Sequence, residues 1–121
     1  MNAFLFPGQG SQHVGMLSAL ATRSEETRQL LETANATLGY DLAKLCFEGP
    51  EDELTDTRRA QPALLTAGVA YARAAAAQGV QPAMLAGHSL GEYAALVVAG
   101  VLGFEDALRL VQRRADLMAA A

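Results

Sequence analysis

Hydrophobic and polar residues are arranged in blocks that predict strands and helices in the order of an α/β protein. A short apolar run at residues 3–6 ends at a Pro-Gly pair, which predicts a buried strand that leads into a tight loop. Residues 82–87 form a second such run and end at Gly87. Since helical patterns follow both strands, we expect a parallel central sheet with sites at its carboxyl edge.

The apolar positions outside these runs recur at the period of amphipathic helices. Ser24 is expected to cap a helix that stops at Gly39, and Asp41 to cap a short helix through Phe47. The acidic residues 51–56 are expected to form an exposed connection. A longer helix is predicted with Pro62 in its first turn and its end at about Gln78. A helix at residues 90–99 is apolar nearly all round and is therefore expected to be buried. A last helix is predicted at residues 104–121.

The amino-acid composition excludes several classes of protein. The 121 residues are 51% hydrophobic and 18% charged, which predicts one folded domain rather than a disordered chain. The net charge is −4 and Lys44 is the only lysine, so nucleic-acid binding is not expected. No signal peptide and no run of about 20 apolar residues is present, which predicts a cytoplasmic protein without a membrane span. Cys46 lies among apolar residues and is expected in the core.

The segment Gly87-His88-Ser89-Leu90-Gly91 carries the clearest chemistry. A serine between two such glycines, at a strand-to-helix turn, has the pattern of a nucleophile whose hydroxyl is exposed above the sheet. The backbone N–H of Leu90 is then placed to stabilise an oxyanion. The alternative is that Ser89 only caps the next helix, because Glu92 three residues later completes a capping box.

A second glycine-rich loop, residues 7–12, follows the first predicted strand. It fits neither a phosphate-binding loop nor a dinucleotide-binding loop, since both motifs require a different spacing. One interpretation is a plain turn. The other is that the backbone N–H of Gln9 faces that of Leu90 as a second oxyanion donor.

Arg114 stands out in the last predicted helix. The apolar stripe of this helix comprises Ala107, Leu110, Val111, Leu117 and Met118. Arg114 lies at helical spacing from these residues, whereas Arg113 is on the polar side. An arginine that faces inwards requires a partner. That partner is either a structural acid or the carboxylate of a substrate, which the planar guanidinium suits equally well.

The chain contains two histidines, and neither is placed as an evident base. His88 is next to Ser89, but neighbouring side chains at a strand end point to opposite faces, so we expect it to support the turn. His13 has no assigned role. Neither histidine has a second ligand at metal-binding spacing, so no metal site is predicted.

Four segments in order resemble the malonyl-CoA:acyl carrier protein transacylase family, which includes acyltransferases of fatty-acid and polyketide synthesis and of malonate decarboxylase. The segments are FPGQGSQ at residues 6–12, QPALL at 61–65, GHSLGEY at 87–93 and LVQRRADLM at 110–118. The resemblance implies Ser89 as the nucleophile, Gln9 and Leu90 as backbone oxyanion donors, and Arg114 as the partner of the malonyl carboxylate. Leu90 resembles malonyl-selective members, whereas Ala115 departs from a glycine common after the arginine.

The resemblance also implies an α/β-hydrolase-like acyltransferase core built on a parallel sheet. Residues 1–121 are expected to be the N-terminal part of the large subdomain, with the catalytic histidine and a ferredoxin-like subdomain absent from this chain. The implied reaction transfers a malonyl group from malonyl-CoA to the phosphopantetheine thiol of an acyl carrier protein, without a cofactor. We expect the chain alone to be nearly inactive, and the rest of the acyltransferase to be a partner.

Two other functions remain open at this point. A serine esterase of the α/β-hydrolase type shares the GxSxG turn, although this chain lacks the HGGG-type oxyanion motif. A non-catalytic scaffolding fragment would agree with the absence of an evident base. Residues beyond position 121, and thiol transfer as opposed to ester hydrolysis, distinguish these hypotheses.

Overall fold

The computed structural model describes residues 1–121 as an α/β fold. Strands β1 (Ala3–Phe6) and β2 (Met84–Gly87) form a parallel two-stranded sheet, with Phe6 opposite Gly87. The helices are α1 (Ser18–Arg23), α2 (Glu25–Leu38), α3 (Leu42–Glu48), α4 (Glu51–Thr55), α5 (Thr57–Ala77), α6 (Gly91–Val98) and α7 (Phe104–Ala120). The predicted parallel α/β order is therefore confirmed.

The core lies on one side of the sheet. Phe6 is buried and Phe4 half-buried against the helices, whereas Leu5 and Met84, on the opposite face, are 76% and 62% exposed. This difference follows from the alternation of side chains along a strand. Both strands end at the same edge, and Ser89 lies just beyond that edge.

Helix α5 occupies the centre of the helical layer and packs against both α6 and α7. Its buried face is rich in alanine, which lets neighbouring helices approach closely. The residues on that face include Ala60, Ala63, Ala67 and Ala70. This packing brings α7 beside the turn that follows β2.

Several local predictions are confirmed at the level of individual hydrogen bonds. The Thr27 N–H donates to Ser24 Oγ at 3.1 Å at the start of α2, and Gly39 ends this helix with a φ of 81°. Asp41 caps α3, where it accepts from the Lys44 N–H at 3.0 Å. These signals are reliable because a cap satisfies the free backbone groups of its own helix end.

Residues 51–56 were predicted to be an exposed connection, and this prediction is only partly correct, because four of the six residues are exposed but the segment is helical. Residues 51–55 form helix α4, with three acidic side chains in its first turn, where the helix dipole favours negative charge. Leu54 points inwards and is fully buried, so tertiary packing stabilises this short helix. Helix α1 was not predicted, because a six-residue helix is too short to show a clear period.

The predicted start of α5 near Pro62 is wrong, because the helix begins at Thr57. Asp56 caps it and accepts from the Arg58 N–H at 2.9 Å. Pro62 has no N–H to donate to the carbonyl of Arg58, four residues earlier. The Gln112 side chain, from α7, donates to that carbonyl through Nε2 at 3.0 Å. A contact from another helix thus replaces the hydrogen bond that proline removes.

The predicted apolar stripe of α7 is only partly correct. Ala107 and Val111 are buried as expected, but Leu110, Leu117 and Met118 are each about half exposed. The buried face instead includes Leu108 and Ala115, on a helix that packs against α2, α5 and α6. Helix α6 is likewise less buried than predicted, with Leu96 exposed.

Cys46 is fully buried, as the sequence predicted. Burial raises the pKa of its thiol to about 12, since an apolar environment disfavours the charged thiolate. The side chain is therefore a neutral core residue at physiological pH. The helices of the structure are all too short or too polar to cross a membrane.

Candidate active site

Ser89 lies on a sharp turn between β2 and α6. Its φ is 55°, in the left-handed region that side chains other than glycine rarely adopt. The side chain is exposed beyond the carboxyl edge of the sheet. The strand–turn–helix geometry predicted from the GxSxG spacing is therefore present, and such strained positions are concentrated at functional sites.

The two glycines of the motif are required by close backbone contacts. A Cβ atom at Gly87 would overlap the backbone of Gly91 and Glu92. A Cβ atom at Gly91 would overlap the carbonyl oxygen of Phe6, at the end of β1. The turn is thus packed tightly on itself and on the neighbouring strand, which fixes the position of Ser89.

The alternative role of Ser89 as a helix cap is not seen in the structure. Leu90 occupies the N-cap position of α6, and no side chain caps this helix. Ser89 Oγ instead accepts a hydrogen bond from Arg114 Nη2 at 3.0 Å. The serine hydroxyl is therefore directed towards α7 and not towards the backbone of its own helix.

The glycine-rich loop after β1 contacts the Ser89 turn. A Cβ atom at Gly8 would lie 3.0 Å from the carbonyl oxygen of His88, and the His88 N–H donates to the Phe6 carbonyl at 3.1 Å. The backbone N–H groups of Gln9 and Leu90 donate no hydrogen bond within the chain. Both remain available to an acceptor at this edge of the sheet.

Arg114 is half-buried and has only neutral hydrogen-bond acceptors. Its Nη1 donates to Gln61 Oε1 at 2.6 Å, and its Nη2 donates to Ser89 Oγ. The guanidinium carbon lies 5.7 Å from the centre of the Tyr93 ring, close to the limit of a cation–π contact. None of the salt bridges in the structure includes Arg114. The structural acid that one interpretation required is not found within this chain.

Gln61 and Thr57 belong to the site and were missed as functional residues from the sequence. Gln61 is fully buried, and its Nε2 donates to Thr57 Oγ1 at 3.0 Å. Thr57 Oγ1 in turn donates to Gln9 Oε1 at 2.9 Å. A sequence signal existed: Gln61 precedes Leu64, Leu65 and Gly68 at helical spacing, which places a polar side chain on the buried face.

Neither histidine is hydrogen-bonded to Ser89. The His88 ring lies against Gly8, where its Nδ1 would be 3.1 Å from an added Cβ. This contact places the His88 ring between the Ser89 turn and the glycine-rich loop after β1. His13 Nδ1 lies 3.3 Å from the carbonyl oxygen of Ser11. No group of three or more His, Cys, Asp or Glu side chains is arranged to hold a metal ion.

An apolar cavity of about 420 Å³ lies between β1 and α5, beside the site. Leu90, Gly91 and His13 contribute to its wall, but Ser89 and Arg114 do not. The two groups with evident chemistry therefore lie outside the cavity, at the exposed edge of the sheet.

Comparison with known proteins places this geometry in context. The profile of the family described as acyl transferase domain matches residues 3–121. The malonyl CoA-acyl carrier protein transacylase of Escherichia coli strain K12 is 55% identical over 117 residues, which are 96% of this chain and 38% of that protein. The chain thus spans less than half the length of this relative.

Solved structures show the same fold. The crystal structure of MCAT from Streptococcus pneumoniae superimposes with a TM-score of 0.95 at 44% identity, over 99% of this chain and 39% of that one. A malonyl-transacylase solved in complex with its type II PKS acyl-carrier protein gives a TM-score of 0.92 at 51% identity, over 98% and 38%. These values match the expectation of an incomplete α/β acyltransferase core.

Proposed function

The chain belongs to the acyl transferase domain family, and we propose that it supplies the nucleophile and the carboxylate-binding arginine of a malonyltransferase. In this proposal the complete protein moves a malonyl group from malonyl-CoA to the phosphopantetheine thiol of an acyl carrier protein. Similar proteins with the names malonyl CoA-acyl carrier protein transacylase support the choice of substrates. A neighbour solved with an acyl-carrier protein supports the choice of acceptor.

One observation carries the proposal: Arg114 lies 3.0 Å from Ser89 Oγ and has no carboxylate partner. A malonyl group attached to Ser89 ends in a carboxylate only a few bonds from the serine oxygen. The planar guanidinium suits such a carboxylate, and a charge-assisted pair is roughly twice as strong as a neutral hydrogen bond. An acetyl group has no carboxylate that could pair with this cation, so the site favours an acidic acyl group.

The first half of the reaction forms a malonyl-serine. Ser89 Oγ bonds to the thioester carbonyl carbon, and its proton passes to a general base. The negative charge on the carbonyl oxygen is stabilised by the free N–H groups of Leu90 and Gln9. The C–S bond then breaks, and CoA leaves as a thiol with the proton held by the base.

The second half reverses these steps with a different thiol. The phosphopantetheine thiol of the carrier protein gives its proton to the base and attacks the malonyl-serine carbonyl. The serine oxygen leaves and recovers the proton, so the enzyme is regenerated. The exchange of one thioester for another requires no cofactor.

The base is the component that this chain does not place at Ser89. His88 lies against Gly8 and His13 lies in the N-terminal loop. In our proposal His88 supports the turn together with Gly87 and Gly91. A histidine supplied by the remainder of the acyltransferase takes the serine proton, as the family resemblance implies.

The proposal is tested by incubating the full-length protein with malonyl-CoA labelled in the malonyl group. Tryptic peptides are then analysed by mass spectrometry, and the label is expected on Ser89. Addition of a phosphopantetheinylated acyl carrier protein should remove the label from Ser89 and place it on the carrier thiol. Ser89→Ala serves as the unlabelled control.

Other outcomes would contradict the proposal in distinct ways. A label on another residue would remove Ser89 as the nucleophile. Release of free malonate from Ser89, with no transfer to the carrier, would indicate a thioesterase. A protein that takes no label would indicate a scaffolding role.

A further inference from the structure

We infer that Gln61 is a positioning residue that directs Arg114 at the acyl group without neutralising its charge, and so determines the preference for a carboxylated substrate. This inference rests on the malonyl transfer proposed above. It concerns a side chain on α5, remote in sequence from both Ser89 and Arg114.

The amide of Gln61 is held in one orientation. The side chain is fully buried, with Oε1 accepting from Arg114 at 2.6 Å and Nε2 donating to Thr57 Oγ1 at 3.0 Å. Met118 Sδ lies 3.3 Å from the same nitrogen and is a second, weaker acceptor. Since both ends of the amide are engaged by groups of opposite hydrogen-bonding character, the oxygen is kept towards Arg114.

Gln61 is uncharged, whereas the usual partner of an inward-facing arginine, which is taken out of water, is a carboxylate. On the surface of this same protein, Arg58 pairs with Asp56 at 2.9 Å. An amide oxygen orients the guanidinium through a hydrogen bond but leaves the positive charge uncompensated. Arg114 therefore retains its charge for a carboxylate that arrives with the substrate.

Thr57 extends this arrangement to the oxyanion loop. Arg114 donates to Gln61, Gln61 donates to Thr57, and Thr57 donates to Gln9 Oε1 at 2.9 Å. The three hydrogen bonds run in one direction, so each one polarises the next. The chain of bonds joins the carboxylate-binding side of the site to the loop that carries the Gln9 N–H.

Replacement of Gln61 by glutamate tests the role of neutrality directly, because the two side chains have nearly the same shape. We propose to measure single-turnover acylation of Ser89 by malonyl-CoA and by acetyl-CoA in the full-length protein. In Gln61→Glu the new carboxylate occupies Arg114, and the ratio of malonyl to acetyl rates should fall by at least about tenfold. The loss should appear mainly as a higher KM for malonyl-CoA.

A matched control separates this local effect from a change in net charge. Gln29 lies exposed on α2 and makes no side-chain hydrogen bond. The variant Gln29→Glu adds the same charge and should leave the malonyl-to-acetyl ratio unchanged. A fraction of unfolded protein lowers both rates equally, so the ratio also remains informative if Gln61→Glu is less stable.

A second pair of variants tests the orientation of the amide if Gln61→Glu does not fold. Thr57→Val keeps the side-chain shape but removes the hydroxyl that receives the Gln61 N–H, so the ratio should fall by about threefold. Thr57→Ser restores a hydroxyl and should recover the ratio. Equal ratios in the valine and serine variants would overturn the role of Thr57 and the fixed amide.

The outcomes distinguish this inference from the proposed function. If the unmodified protein is malonylated at Ser89 but Gln61→Glu keeps the original ratio, the positioning role is wrong and malonyl transfer stands. If the unmodified protein takes no malonyl group, both fail together. A selective loss of malonyl transfer in Gln61→Glu, with Gln29→Glu unaffected, supports the inference.

Discussion

The starts of helices α5 and α6 differ in whether a side chain accepts hydrogen bonds from their backbone N–H groups. At α5, Asp56 accepts the Arg58 N–H and also pairs with the Arg58 guanidinium at 2.9 Å. At α6, no side chain caps the helix, and the Leu90 N–H has no acceptor within the chain. The first helix start has a side-chain cap, whereas the second leaves the Leu90 N–H free for an external acceptor.

The two nearby arginines differ in the same way. The charge of Arg58 is balanced by Asp56, while Arg114 is held only by the neutral oxygens of Gln61 and Ser89. A protein that leaves a half-buried cation without a counter-ion gives up stability at that point. Uncompensated donors and charge are therefore a better indication of a ligand site here than the presence of polar residues alone.

The largest effect is expected where the α6 start is packed most tightly. In Gly91→Ala the added methyl group overlaps the Phe6 carbonyl, so the free energy of unfolding should fall by about 3 kcal/mol. Chemical denaturation of the full-length protein measures this loss. Gly103→Ala is the control, since its nearest contact would be 3.9 Å away at Asp106 Oδ2, and an equal loss in both variants would contradict the prediction.

Removal of the uncompensated charge should change selectivity more than overall rate. In Arg114→Ala, acylation of Ser89 by malonyl-CoA should fall by about 10-fold to 100-fold relative to acetyl-CoA, because a charge-assisted hydrogen bond contributes about 1.5–3 kcal/mol. Arg113→Ala, on the exposed side of α7, should leave the ratio unchanged. An equal loss with both acyl groups would exclude a carboxylate-binding role for Arg114.

The backbone strain at Ser89 should be measurable as a difference in stability between two variants. Both Ser89→Gly and Ser89→Ala lack the proposed nucleophile, but only glycine adopts a φ of 55° without strain. The glycine variant should therefore be about 1 kcal/mol more stable than the alanine variant. Thermal unfolding of the two variants gives this difference, and a less stable glycine variant would count against a strained turn.

The smallest effect is expected at the α5 start, and it depends on pH. The hydrogen bonds from Arg58 lower the pKa of Asp56 from 3.8 to about 2. Because the folded pKa is the lower one, the stabilisation is present above pH 3.8 and is lost as the pH falls through 2. The pair is exposed, so the contribution is small.

Asp56→Asn checks this dependence. Its stability should change less than that of the unmodified protein between pH 4 and pH 2, as followed by denaturation at each pH. The malonyl-to-acetyl ratio at neutral pH should be unaffected. Parallel stability curves for the two proteins would show that the ion pair contributes nothing.

Much of the fold was predictable because its signals act locally. The Ser24 and Asp41 caps, the end of α2 at Gly39 and the bounds of β1 each depend on the backbone needs of one short segment. The turn around Ser89 was predictable for the same reason, since two glycines two residues either side of a serine specify a tight reversal. The burial of Cys46 followed from its apolar neighbours.

The errors fall where a distant contact decides the local structure. Helix α4 depends on the burial of Leu54, and the first turn of α5 tolerates Pro62 because Gln112 donates to the freed carbonyl of Arg58. The exposed side of α7 could not be assigned from its period alone, since Leu108 and Leu110 are equally apolar. Only the packing of α7 on its neighbouring helices determines which of the two is buried.

The residue pattern alone specified the strand–turn–helix elbow, and it marked Ser89, Leu90, Gln9 and Arg114 as candidates. The groups that these residues meet depend on how the helices pack. Gln61 and Arg114 are 53 positions apart, and their 2.6 Å hydrogen bond exists because α7 lies against α5 beside the elbow. The spacing of residues reflects the local requirements of the backbone. The partners of a charge that is taken out of water, in contrast, are side chains that only folding brings together.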